Sequence, residues 1–102
     1  MSKANEAFVA QKEGDFIKYL ALTKEAFAKE KEAAWKLFQK FEAEPTRSIL
    51  FRSAAQLAFN CGQMRESEQL ISAALVGNPP AEIIYELREL YKEILNSLES
   101  VA

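Results

Sequence analysis

The chain has 102 residues, 49% hydrophobic and 27% charged, which is the composition of one globular domain over residues 1–102 rather than of a disordered segment. A net charge of −2 and a pI of about 5.2 disfavour nucleic acid as the main partner, because phosphate binding needs a basic surface. With one cysteine and no histidine, the chain lacks the usual ligands of a zinc site and the usual base of a catalytic triad, so we expect no enzyme, metal or cofactor.

The first predicted element is a short helix over residues 2–13, which Ser2 can cap and Gly14 ends. This segment lacks the apolar core of a signal peptide, and no stretch of the chain approaches the ~18 apolar residues of a membrane span. A single cysteine cannot form a disulfide within the chain, which suits a reducing compartment. We therefore expect a cytoplasmic protein that does not enter membranes.

The second predicted element is a long helix over residues 15–44, where the sequence has neither glycine nor proline. Asp15 is a good N-cap and Pro45 a good stop. At 1.5 Å per residue such a helix would be about 45 Å long, more than the rest of the chain can cover. Either it bends near the charged run 29–32, or one end projects from the domain.

The carboxyl end of this long helix is apolar over more than one face. It carries an aromatic patch, which we define as Trp35, Leu37, Phe38 and Phe41. One interpretation is that all four side chains pack on the helices after Pro45 as core. The other is that they form a surface for a partner or for a homodimer.

A helical hairpin follows, with one helix from Thr46 or Ser48 to Cys61 and the next from about Met64 to Val76. Small residues recur on both helices, so the two backbones can approach closely. Gly62 and Gly77 each stand where a left-handed residue would end a helix.

This hairpin, from about Ser48 to Ala81, resembles one tetratricopeptide (TPR) repeat, a 34-residue helix–turn–helix unit. An aromatic residue, the mid-repeat glycine, a small residue and a proline agree with the motif; these are Phe51, Gly62, Ala74 and Pro79. Ala55 and Ala58 stand where the motif usually has Gly and Tyr, and a generic antiparallel hairpin fits nearly as well. The run RESEQLISAALVGNPPAEIIYELREL also resembles a segment of uncharacterised bacterial proteins, which implies no function.

The last predicted helix runs from near Pro80 towards Leu98 and has a strong apolar stripe. We expect it to cap the array, as terminal helices do in repeat folds. The fold prediction is therefore all-α: about five helices in antiparallel, TPR-like hairpins, with a long second helix and a carboxyl-terminal capping helix.

The TPR resemblance also implies a binding surface, because in that family the first helices of successive repeats line a groove that holds peptides. We call the corresponding residues the polar face: Arg52, Gln56, Phe59, Asn60, Tyr85, Glu89 and Lys92. Arg52 and Lys92 would then be available to a carboxylate of the bound segment. Without the resemblance, the part of this face on the first helix of the hairpin is simply the solvated polar side of an amphipathic helix.

Two other features invite a chemical interpretation. Cys61 lies in the last turn of its helix, where the dipole disfavours a thiolate, so we expect an inert core thiol. Glu82, Glu86, Glu89 and Glu93 share one side of the last helix but lack the histidines of di-iron helix motifs, so we expect a solvated face. The expected function is protein–protein interaction through the polar face; the alternative is a structural subunit that homodimerises through the helix 15–44.

Overall fold

The computed structural model describes the backbone of residues 15–101 and the side chains of residues 15–99. All regular structure in this part of the chain is helical, which confirms the all-α prediction. The elements are helix α1 (Phe16–Lys36), a 3-10 turn (Phe41–Ala43), and helices α2 (Thr46–Asn60), α3 (Met64–Val76) and α4 (Ala81–Val101). The predicted helix over residues 2–13 lies outside the described residues.

The predicted helix 15–44 is wrong in its carboxyl-terminal bound, because α1 ends at Lys36. Its start is as predicted, with the Asp15 carboxylate accepting a hydrogen bond from the Lys18 N–H at 2.9 Å. Beyond Lys36 the backbone tightens, and the N–H groups of Leu37 and Lys40 donate to carbonyls three residues earlier. The reason is tertiary: the Phe38 carbonyl accepts a hydrogen bond from Nε of Arg47 at 2.9 Å, which turns the chain around that side chain.

Helix α2 lies at the centre of the array, with α1, α3 and α4 packed around it. The apolar part of its buried side is made of Phe51 and three alanines, all fully buried: Ala54, Ala55 and Ala58. The small side chains allow α3 to approach closely, and the Ser67 hydroxyl donates to the Ala55 carbonyl at 2.7 Å. The outer helices α1 and α4 make no close backbone contact with each other within residues 15–101.

The two predicted helix-ending glycines have different roles. Gly62 has φ +78° and ends α2 in a Schellman motif, in which the Gln63 N–H donates to the Ala58 carbonyl at 2.8 Å. Gly77 is not left-handed, since its φ is −85°. A Cβ at Gly77 would lie 2.5 Å from Nη1 of Arg47 and 2.7 Å from Oε2 of Glu44, so close approach excludes a side chain there.

Helix α4 covers the core as expected of a capping helix, but only with half of its apolar stripe. Four side chains are buried against α2 and α3: Ile83, Leu87, Leu90 and Ile94. Tyr91 and Leu95, on the same helix, remain 41% and 40% exposed. Helix α4 therefore covers one apolar surface and presents another.

Candidate protein-binding surfaces

The aromatic patch lies where the chain turns between α1 and α2. The Trp35 ring meets the buried Phe51 edge-on, with centroids 5.1 Å apart, and Phe38 at 5.3 Å. Leu37 and Phe38 are half-buried, whereas Trp35 is 42% and Phe41 48% exposed. The patch therefore packs on α2 but leaves two aromatic rings exposed, so not all four side chains are core, and a partner or homodimer surface stays a prediction.

A buried arginine organises this patch, and sequence reasoning missed it. The Arg47 guanidinium is fully buried, and the rings of Phe41, Phe51 and Phe38 lie 4.9, 5.2 and 5.5 Å from its Cζ. Its Nη2 donates to the carbonyl of Ala73 at 2.7 Å, at the end of α3. A run of phenylalanines on both sides of one arginine was the available signal, since Arg stacks on aromatic faces.

The polar face begins on α2. Arg52 donates from Nη1 to Oε2 of Glu86 on α4 at 2.6 Å. One turn further along, the Gln56 amide donates to Oδ1 of Asn60 at 3.1 Å, and both side chains are exposed. Phe59 is half-buried and packs against the core. The Arg52–Glu86 ion pair therefore sets the polar stripe of α2 directly beside one side of α4.

The α4 residues of the polar face lie on the outer side of that helix, away from the fully buried Leu87. Tyr85 is 66% exposed, and Nζ of Lys92 lies 3.1 Å from Oε1 of Glu89. No hydrogen bond or ion pair between described side chains joins these three residues to the Gln56–Asn60 pair. The two helices border each other through Arg52 and Glu86.

The charges of this surface differ from the sequence expectation. Both cations of the polar face, Arg52 and Lys92, are already paired with carboxylates. Glu82 and Glu93, on the same side of α4, form no ion pair with any described residue. The net charge of this side of α4 is therefore acidic, and a basic group suits it better than a carboxylate.

Reactive groups are scarce in the described part of the chain. Burial raises the pKa of the Cys61 thiol above its usual value, while the charge of Lys24 lowers it by less, so the thiol stays protonated at neutral pH. Among residues 15–99, no three Cys, Asp or Glu side chains are placed to hold a metal ion. None of the four described helices is both long and apolar enough to cross a membrane.

Comparison of the chain with protein-family models, with curated proteins and with solved structures finds no match.

Proposed function

We propose that this chain is a non-enzymatic protein-binding module of the cytoplasm that holds a segment of another protein against its polar face. The observation that carries the proposal is the Arg52–Glu86 ion pair, which supports a continuous surface across α2 and α4. The exposed amides of Gln56 and Asn60 can bond to the backbone of a bound segment, and the Tyr85 ring can supply apolar contact. The TPR resemblance implies a peptide-binding groove on the same side of the hairpin.

The partner segment that this surface favours carries lysine or arginine. The acidic stripe of α4 consists of Glu82, Glu86, Glu89 and Glu93, spaced so that all four lie on one side of the helix. Glu86 and Glu89 each already have a cation, which leaves Glu82 and Glu93 to accept from the partner. Such contacts are exposed to solvent, so binding should weaken as the salt concentration rises.

The test places a photo-crosslinking amino acid at Tyr85 in the native cell and identifies the captured segment by mass spectrometry. Calorimetry then measures the affinity of that segment, as a synthetic peptide, for the wild type and for Glu93→Lys. We expect Glu93→Lys to raise the dissociation constant at least tenfold, which is about 1.4 kcal/mol. Glu32→Lys is the matched control, because the Glu32 side chain is 72% exposed on α1.

A crosslinking amino acid at Trp35 that captures a second copy of the chain, while the one at Tyr85 captures nothing, would contradict this proposal. It would favour the second candidate, a structural subunit that homodimerises through the aromatic patch. The exposure of Trp35 and Phe41 favours that candidate, since exposed aromatic rings are common at interfaces.

A further inference from the structure

Helix α4 has a second apolar stripe beside its buried one. Tyr91 and Leu95 are 41% and 40% exposed, and Ile84 and Leu98 are half-buried. The four residues follow one another at intervals of seven, four and three positions, which places them on one side of a helix. At 1.5 Å per residue the stripe is about 21 Å long, enough for another helix to pack along it.

This stripe and the Arg52–Glu86 contact lie on different sides of α4. Each residue advances about 100° around the helix, so Glu86 lies on one side of the buried Leu87 and Tyr91 on the other. Glu86 faces α2 through its ion pair with Arg52. Helix α1 makes no close backbone contact with α4, and Tyr91 and Leu95 on this side keep 41% and 40% of their surface exposed.

Two unpaired charges lie along the same side. Arg88 and Glu99 are exposed, and neither forms an ion pair with any described residue. They are three helical turns apart, about 16 Å along the axis, with Tyr91 and Leu95 between them. Opposite charges on either side of Tyr91 and Leu95 are complementary to the same segment turned end over end.

We propose that the chain forms a two-fold homodimer in which the α4 helices of two copies pack antiparallel through this stripe. When Arg88 of one copy lies level with Glu99 of the other, the same symmetry sets Tyr91 of each copy beside Leu95 of the other. One helix pair buries less than the ~1,200 Å² of a standard interface, so dissociation should be in the micromolar range. The dimer does not use the Arg52–Glu86 side of α4 and does not depend on the proposed partner binding.

Sedimentation equilibrium from roughly 1 to 200 µM tests the proposal, because those concentrations bracket a micromolar dissociation constant. We expect Leu95→Glu to raise the dimer dissociation constant at least tenfold. Leu95 is partly exposed, so the variant should fold, and circular dichroism checks this. Lys29→Glu, exposed on α1, is the control and should leave the constant unchanged.

A charge exchange tests the antiparallel arrangement. Arg88→Glu and Glu99→Arg should each weaken self-association, because each creates two like-charge contacts across the symmetry axis. An equal mixture of the two variants should restore the dimer, since every contact then joins opposite charges. Arg88 and Glu99 are both exposed, so the two charge variants should fold and can test the antiparallel dimer even if Leu95→Glu does not fold.

Three outcomes would overturn the proposal. The first is a monomer at every concentration up to about 200 µM, well above the micromolar range expected for one helix pair. The second is a dimer that Leu95→Glu leaves intact and Trp35→Gln weakens, which would assign self-association to the aromatic patch. The third is a mixture of the charge variants that dimerises no better than either variant alone.

Discussion

Among single residues, Arg47 makes the most demanding set of contacts. Its guanidinium donates to the carbonyls of Phe38, Ala73 and Ala74 at 2.9, 2.7 and 3.3 Å. Ala73 and Ala74 are near the carboxyl end of α3, where a positive charge also offsets the helix dipole. Since the charge is fully buried, its stability depends on keeping every one of these partners.

Arg47→Ala should lower the free energy of unfolding by about 3–5 kcal/mol, because it leaves buried carbonyls without donors and opens space beneath the Phe41 ring. Urea denaturation followed by circular dichroism measures the change. Arg65→Ala is the matched control: its side chain is 82% exposed, and the change should stay within about 0.5 kcal/mol. A loss below about 1 kcal/mol for Arg47→Ala would show that the cluster is not a determinant of stability.

The contrast between Gly62 and Arg47 shows how far sequence reasoning reaches. Gly62 was predicted correctly because a left-handed turn needs a glycine, which is a local requirement. The burial of Arg47 was not predicted, because a charged residue is ordinarily exposed and its partners come from three separate segments. The same non-local contact ends α1 early at Lys36, in a stretch without glycine or proline.

In the candidate site, too, local features were predicted and contacts between helices were not. Helical spacing placed Gln56 and Asn60 on one polar stripe of α2, and both are exposed. It did not predict the pairing of Arg52 with Glu86, which lies on a helix two elements later. Periodicity assigns residues to a face of one helix, whereas the neighbour of that face is decided by how the helices pack.

Between elements, Glu44 joins the start of α2 to the turn that leads into α4. Oε1 of its carboxylate accepts from the Ser48 N–H at 2.9 Å and from the Ser48 hydroxyl at 2.6 Å. The other oxygen accepts from the Asn78 N–H at 2.9 Å and lies 3.7 Å from Nη1 of Arg47. One side chain thus caps a helix and fixes a turn that begins 34 residues later.

These contacts make stability depend on pH. Burial by itself raises the pKa of Glu44, but hydrogen bonds from Ser48 and Asn78 and the charge of Arg47 outweigh it, so the pKa falls below its ordinary 4.5. The folded state therefore binds this proton less tightly than the unfolded state. The stabilisation is complete above about pH 4.5 and is lost as the pH falls through the lowered folded-state pKa.

Glu44→Gln should lower the unfolding free energy at pH 7 by about 1–3 kcal/mol, because an amide is a weaker acceptor for the same donors. It should also reduce the loss of stability between pH 7 and about pH 3.5, since the variant has no charge to neutralise there. Urea denaturation at both pH values measures this, with Glu32→Gln as the exposed control. An unchanged pH dependence in Glu44→Gln would contradict the assignment.

In the molecule as a whole, the α2–α3 hairpin connects two outer helices, α1 and α4, that make no close backbone contact with each other within residues 15–101. Trp35, the only tryptophan, reports on the contact between α1 and α2 through its edge-on packing with Phe51. Leu87 is fully buried where α4 packs against the hairpin. Trp35 fluorescence follows the α1 end, and circular dichroism of a variant at Leu87 follows the α4 end. Comparing their unfolding midpoints therefore shows whether the array unfolds as one unit or helix by helix.

We expect one cooperative transition, in which Trp35 fluorescence and circular dichroism give the same midpoint, because α1 and α4 both contribute side chains to one small core. Leu87→Ala should lower the unfolding free energy by about 2–5 kcal/mol and shift both signals together, since the cavity weakens the shared hairpin. Leu95→Ala, at a partly exposed site on the same helix, should cost less than about 1 kcal/mol in the monomer. If Leu87→Ala shifts the helical signal and leaves the Trp35 transition in place, α4 unfolds separately, and the chain behaves as a linear array of nearest-neighbour contacts.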